Sequence, residues 1–283
     1  MSDPVNANTR QIYEWNGAAG DSWSANHLAF ERMLTPFSDA LLEAANIRRG
    51  ERVLEIGCGA GGLAISMAKR GARVTAVDVS ETLFNLARFR EIEAGVSVDF
   101  RLGDASHAAF APDYDLLTSH LGVMFFDDPV AAFANMCTAL KPDGRLAMLT
   151  WRGMAENDLP KLAEAALAPD LAAPIRPAGA PGPFSFGDRD RVFDILTQAG
   201  FRDIAVTPFD AAMVFGEGED GGSALDDAMG RAFHIGPLSR WLEGQSELIV
   251  SGVCQRLRKL LSYHVTPRGV ELKGAAWIIT ARI

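Results

Sequence analysis

Residues 53–62 read Val53-Leu54-Glu55-Ile56-Gly57-Cys58-Gly59-Ala60-Gly61-Gly62, and this stretch decides the fold. Val53, Leu54 and Ile56 form an apolar β run, and the glycines then turn the chain into a helix beginning near Leu63. Glycine suits such a turn because a ligand can lie against bare backbone while the helix N-terminal amides face it. Gly57, Gly59 and Gly62 satisfy a GxGxxG dinucleotide pattern, whereas Glu55, Gly57, Gly59 and Gly61 satisfy an acidic-x-G-x-G-x-G one. A carboxylate at the strand end would repel a pyrophosphate but accept a hydrogen bond from a cationic amino group. The second pattern therefore favours a cofactor with an aminoacyl end.

Moving outward, the strand Arg73-Val-Thr-Ala-Val-Asp-Val ends with Asp78 placed 21 residues beyond Gly57, the spacing of a ribose-binding carboxylate. Val96 to Leu102 reads as a third strand leading into Gly103-Asp104-Ala105, and Tyr114 to Ser119 as a fourth. The His120-to-Phe126 passage, apolar from Leu121 onward and containing Met124 and Phe125, follows at a strand end where α/β sheets bind ligands, so it is expected to be exposed and to line a pocket. A fifth strand runs from Arg145 to Trp151 after the Pro142-Asp143-Gly144 turn.

Taken together, these motifs resemble class I S-adenosylmethionine-dependent methyltransferases, through VLEIGCGAGG, Asp78, Gly103-Asp104-Ala105 and LKPDGRLAMLTW. The WNGAAGDSW and SHLGVMFFDDP passages are similar to the small-molecule branch of the ubiquinone/menaquinone-biosynthesis type. The resemblance implies an α/β, Rossmann-like seven-stranded sheet whose last strand is antiparallel, with an N-terminal helical cap and a helical insertion before that strand. Trp277, Ile278 and Ile279, in the apolar ending Ala275 to Ile283, suit a strand buried on both edges. It also implies S-adenosylmethionine as cofactor, with Glu55 at the methionyl amino group and Gly57 and Gly59 giving room. Asp78 would take the ribose hydroxyls, Leu83 would pack near adenine, Asp104 and Ala105 would fix the adenine edge, and Ser119 would lie near the methionyl end. The chain departs from the branch at His120, where an arginine-like residue is common.

The expected organisation is a cap over 1–46, a cofactor-binding core over 47–151 and a proline-rich loop or lid over 152–187. A core helix and strand over 188–215, a helical insertion over 216–268 and a final strand over 269–283 complete it. The first ten residues read as frayed, and Tyr13, Trp15 and Trp23 flank the flexible Asn16-to-Gly20 segment as cap packing or substrate contacts. Pro36 is expected to break the helix over 26–46.

Composition bounds the partners. The chain has 283 residues, 48% apolar, and a net charge of −9 without a basic block, which argues against nucleic acid. Cys58, Cys137 and Cys254 form no metal-ligand spacing and read as reduced thiols of a cytoplasmic protein. No apolar run is long enough to enter a membrane, and no metal is expected. The expected activity is methyl transfer to a small-molecule acceptor by in-line displacement, by a protein for which a homodimer is allowed. A non-catalytic S-adenosylmethionine-binding protein and a nicotinamide-dependent oxidoreductase are the alternatives. His120, titrating near neutrality, is the candidate catalytic base, with His234 second.

Overall fold

The computed structural model describes residues 8–168, 170–172, 177, 179–235 and 238–283. Eight strands share one sheet: β1 (Arg52–Ile56), β2 (Arg73–Asp78), β3 (Asp99–Leu102), β4 (Tyr114–His120), β5 (Leu140–Trp151), β6 (Arg202–Gly216), β7 (Val265–Thr266) and β8 (Gly269–Arg282). Their order is β3-β2-β1-β4-β5-β8-β6, and the two-residue β7 pairs with β8 off this path. Strands β3, β2, β1, β4 and β5 run parallel, and β8 enters antiparallel between β5 and β6. This is the expected seven-stranded arrangement with one short strand added. A dehydrogenase would need a second parallel half after β5, and the antiparallel β8 stands there instead.

The continuous burial of β1 explains its place: Val53, Leu54, Glu55 and Ile56 are all buried, as in a central strand covered on both faces. α3 (Gly62–Lys69) and α4 (Glu81–Ala94) follow β1 and β2. Ser80 caps α4 by accepting from the Leu83 amide. α5 (Pro129–Cys137) starts on Asp128, whose side chain accepts from the Ala131 amide, with proline in the first turn as expected. α6 (Asp158–Leu167) leads to the proline-rich stretch, and α7 (Arg189–Gln198) packs on α5 and β6. α8 (Gly221–Ile235), α9 (Leu238–Trp241) and α10 (Glu247–Ser262) form the helical insertion between β6 and β7.

Four local expectations change. The cap is two helices, α1 (Thr9–Trp15) and α2 (Ala18–Ala45), and Pro36 lies inside α2 without ending it. Proline sacrifices one helical hydrogen bond there, but Phe37 and Leu41, both fully buried, hold the helix against the sheet. The break falls at Asn16-Gly17 instead, where the Asn16 side chain bonds the Ile12 carbonyl and closes α1. The Leu121-to-Phe126 cluster is not an open surface: Leu121, Val123 and Met124 are 8%, 2% and 2% exposed. The proline-rich loop is likewise tied down where it is described, because Gly182 N and Ser185 Oγ donate to the Met124 carbonyl and Phe186 stacks beside Phe133. Residues 173–176 and 178, within the expected lid, lie outside the described residues, as do residues 1–7 of the expected frayed end. Asn8, the first described residue, is not frayed but buried.

β6 and β8 rise past the ends of β1, β4 and β5. Above the level where Trp151 and Phe209 both face Ala276, the pair continues from Asp210–Ala275 to Gly216–Val270 as a two-stranded ribbon. α8 packs on this ribbon and on α2, and α10 packs on α8 and α6.

Candidate cofactor and active site

The carboxyl ends of β1, β2, β3 and β4 converge on one rim. At the tip of β1 the amides of Gly57 and Cys58 both donate to the Val77 carbonyl, at 2.8 and 3.2 Å, which fastens the glycine turn to β2. Gly57 has φ +68°, and a Cβ there would lie 2.6 Å from the Gly122 Cα, so the turn after β1 and the turn after β4 touch backbone to backbone. Gly59, at φ +52°, has nothing within 4 Å of its missing Cβ and leaves open room on the rim.

Glu55 sits just below this turn at 1% exposure, and its Oε2 has no partner. Burial, with Asp78 nearby, raises its pKa well above the usual carboxylate range. An enclosed carboxyl oxygen without a donor is costly, and a cationic amino group would satisfy it. Asp78 is anchored differently: Oδ2 accepts from Gly59 N at 2.7 Å and Oδ1 from Ser80 N at 2.9 Å. Burial raises its pKa, while these amides act in the opposite sense. Each oxygen keeps a further lone pair, so the side chain can brace the turn and still accept from hydroxyls. Leu83 is buried beside Ser80 at the start of α4.

Asp104 stands after β3, with Oδ1 accepting from Ser106 N and Oγ at 2.9 and 2.7 Å, and Ala105 is buried next to it. Ser119 is 1% exposed; its Oγ donates to the Ile56 carbonyl at 2.8 Å and accepts from Gly122 N at 3.2 Å. It thus joins the ends of β1 and β4. Leu121 follows in a left-handed conformation, φ +65°, an uncommon state for leucine that places the sharp turn at this rim.

His120 ends β4, and its Nε2 lies 3.5 Å from Ser38 Oγ on α2. Burial lowers its pKa to about 4, so the ring is neutral at physiological pH. The expectation of a histidine titrating near neutrality is therefore corrected, because desolvation disfavours the imidazolium. His234 is on α8, where its carbonyl takes a hydrogen bond from Ser22 Oγ.

The aromatic candidates separate. Trp15 packs edge-on to Phe125 with centroids 5.4 Å apart and to Trp23 at 6.1 Å, and Trp23 continues to Phe30 at 4.7 Å. These rings carry the cap down to the core. Tyr13 is 81% exposed and is not part of that stack. Met124 faces inward, its Sδ accepting from Trp151 N, which removes it from an open pocket wall. Among the described residues no group of three or more histidine, cysteine or acidic side chains could hold a metal. The three cysteines are free thiols.

Two polar residues of the cap escaped the sequence reading. Asn16 donates to the Val79 carbonyl at 2.8 Å and accepts from Glu81 N at 2.9 Å, which pins α1 over the end of β2. Asn8 reaches Asp104. The Asn16-Gly17 pair is a helix-stop signal that would have marked the first of them, but Asn8 carried no local signal.

Comparison with known proteins agrees with this geometry. The family model described as a methyltransferase domain matches residues 53–144. An uncharacterized protein of Mycobacterium tuberculosis (strain ATCC 25618 / H37Rv) is 32% identical over 179 residues, covering 60% of this chain and 64% of its own. The chain thus spans less than two thirds of that relative's length. A ubiquinone biosynthesis O-methyltransferase of Xanthomonas axonopodis pv. citri is 39% identical over 103 residues, 36% of this chain and 43% of the relative. Among solved structures, a phosphoethanolamine N-methyltransferase of Haemonchus contortus, in complex with S-adenosylhomocysteine, superposes with a TM-score of 0.55 at 17% identity. That match covers 95% of this chain and 59% of the nematode one, and at this identity it speaks for the fold alone. Over residues 53–144 the chain is therefore similar to a methyltransferase domain.

Proposed function

We propose that the protein transfers a methyl group from S-adenosylmethionine to a small-molecule acceptor. The observation that carries this reading is Glu55 Oε2, a buried carboxyl oxygen with no donor, set directly under a glycine turn with open space at Gly59. Glu55 would hold the methionyl amino group, Asp78 the ribose hydroxyls, Leu83 the adenine face, and Asp104 with Ala105 the adenine edge. Ser119 keeps the β1 and β4 ends together and so fixes where the methionyl end would lie.

When bound, the sulfonium supplies an already activated methyl group. The chain's own part is then to position the acceptor, and orientation of this kind is worth about 7–11 kcal/mol. His120, neutral down to about pH 4, is a weak proton acceptor, and we assign it a positioning role beside Ser38 rather than that of a general base. The net charge of −9 and the absence of a basic block support a small acceptor over nucleic acid. No helix among the described residues is long and apolar enough to cross a membrane, consistent with a cytoplasmic site of action.

The experiment is thermal melting with S-adenosylhomocysteine, S-adenosylmethionine and NAD, followed by methyl transfer from labelled cofactor to a metabolite panel. A ligand confined to the folded state adds about 2.7 kcal/mol at a hundredfold excess over its Kd. The expected result is a shift with the two sulfur ligands only. A shift with NAD alone overturns the reading, and binding without transfer to any acceptor leaves a cofactor-binding protein instead.

A further inference from the structure

The carboxylate expected to read the adenine edge already holds a partner from the same chain. Asn8 is only 4% exposed. Its Nδ2 lies 3.2 and 3.0 Å from Oδ1 and Oδ2 of Asp104 and 3.0 Å from Ser106 Oγ. Its Oδ1 accepts from Asp127 N at 2.9 Å, and its own amide donates to Asp127 Oδ2 at 2.9 Å. Every polar atom of the carboxamide is used, across a separation of 96 residues to Asp104 and 119 to Asp127.

The chemistry of that carboxamide is specific. An NH2 donor beside a carbonyl acceptor is the same alternation that adenine offers with its exocyclic amino group and the adjacent ring nitrogen. A carboxylate has about four lone-pair sites. On Asp104 the Ser106 amide and hydroxyl already occupy Oδ1, and Asn8 spans both oxygens. An incoming amino group would have to compete with Asn8 for what is left.

The rest of α1 is arranged as a strap. At one end Asn8 grips the loops after β3 and β4, and at the other Asn16 grips the loop after β2 through the Val79 carbonyl and the Glu81 amide. Between them Gln11 is buried with its Oε1 unpartnered, a polar atom facing inward with nothing to bond. Asn8 holds φ +65°, a left-handed conformation that asparagine tolerates better than most residues. Gly17, between α1 and α2, has φ −118° and ψ −146° and marks the junction about which α1 can turn.

We propose that Asn8 is a built-in competitor for the adenine edge, so that α1 latches the adenosine half of the site shut and must release Asp104 before the cofactor seats. The proposal rests on the cofactor reading above. In a two-state latch the apparent Kd is the intrinsic one divided by the open fraction, so weakening the latch tightens binding.

The test titrates wild-type chain, Asn8→Ala and Asn8→Asp with S-adenosylhomocysteine by calorimetry. Amide hydrogen exchange across residues 9–16 is followed with and without the ligand. Asn8→Asp sets a carboxylate against Asp104 and Asp127 and opens the latch by repulsion, giving a second route if the alanine variant folds poorly. The expected result is about 5- to 20-fold tighter binding in both variants, the worth of one or two ordinary hydrogen bonds, with faster α1 exchange when ligand enters the wild type. Equal or weaker binding in the variants, or slower α1 exchange on binding, overturns the latch while leaving the cofactor reading intact. If no chain binds the ligand, both fall.

Discussion

The two sides of the sheet are built on different rules. The side made of β3, β2, β1 and β4 has short parallel strands, and its important contacts are between turns: Gly57 against Gly122, Gly59 N on Asp78, Ser119 on Ile56. The side made of β5, β8 and β6 depends on long antiparallel pairing, with β6 and β8 matched from Arg202–Arg282 to Gly216–Val270, α8 stacked on the raised ribbon and α10 on α8. A rim made of turns in backbone contact tolerates almost no change in backbone shape. A ribbon with helices stacked on it can change surface residues without altering the pairing that supports it. The turn-built half is thus constrained by backbone approach, and the other half by packing.

The sharpest way to break this contrast is Gly57→Ala. The added Cβ meets backbone on the opposite turn at 2.6 Å in a φ +68° conformation, so neither side can yield cheaply. Binding of S-adenosylhomocysteine by calorimetry is expected to fall about 100-fold or more, with a loss of roughly 3 kcal/mol in stability. Binding within twofold of wild type would mean that the turn is not the site.

Asp78→Ala comes next. It leaves the buried Ser80 amide and the half-buried Gly59 amide without acceptors, at about 1–3 kcal/mol for each fully buried group. Denaturant unfolding should show a loss of about 2–4 kcal/mol, and the ligand-induced melting shift should largely disappear. A shift of wild-type size would remove Asp78 from the ribose role.

His120 provides a pH test that spans the two halves, since it links β4 to α2. Its folded pKa of about 4 lies below the unfolded value of 6.5, so between these values the unfolded chain takes up a proton that the folded one refuses. Stability is therefore full above about pH 6.5 and falls as pH drops toward 4, by up to about 3 kcal/mol. His120→Gln should flatten that part of the stability-pH curve. An identical slope in the variant would place the titration elsewhere.

The smallest effect is expected on the ribbon-and-helix side. Arg32 of α2 pairs with Glu217 at 2.7 Å, next to the start of α8, with both side chains well exposed. Arg32→Ala should cost no more than about 1 kcal/mol and speed proteolysis within 217–222, while leaving cofactor affinity within about twofold. A tenfold loss of affinity would join the two halves into one unit.

What could be read from the sequence follows the same division. Glu55, Asp78 and Asp104 were legible because their positions are set by distance along the chain from a strand end, which a topology of this kind converts directly into place on the rim. The antiparallel β8 was implied by the resemblance, and its apolar ending only suited that place. The continuity of α2 through Pro36 was not, because the burial of Phe37 and Leu41 against distant strands outweighs one lost helical hydrogen bond. Leu121 to Met124 looked exposed for the opposite reason: the loop that covers Met124, through Gly182 and Ser185, arrives about sixty residues later. Asn8 could not be found at all, since its partners are defined only when the loops after β3 and β4 meet.

The position of β8 also bears on the order in which the molecule is made. Among the described residues β6 has no sheet neighbour except β8, and β5 is paired on that side by β8 as well. A ribosome delivers β6 and then the whole helical insertion before the strand that joins them exists. Until then the free edges of β5 and β6 are open to strangers, at the stage when a nascent chain is most prone to aggregate. Among the described residues the turns after β1, β2 and β3 take their hydrogen bonds from segments up to α5, so that part can settle first and wait. Holding nascent chains of increasing length on the ribosome would show resistance to protease appearing in two stages, the second only after Arg282 has cleared the exit tunnel.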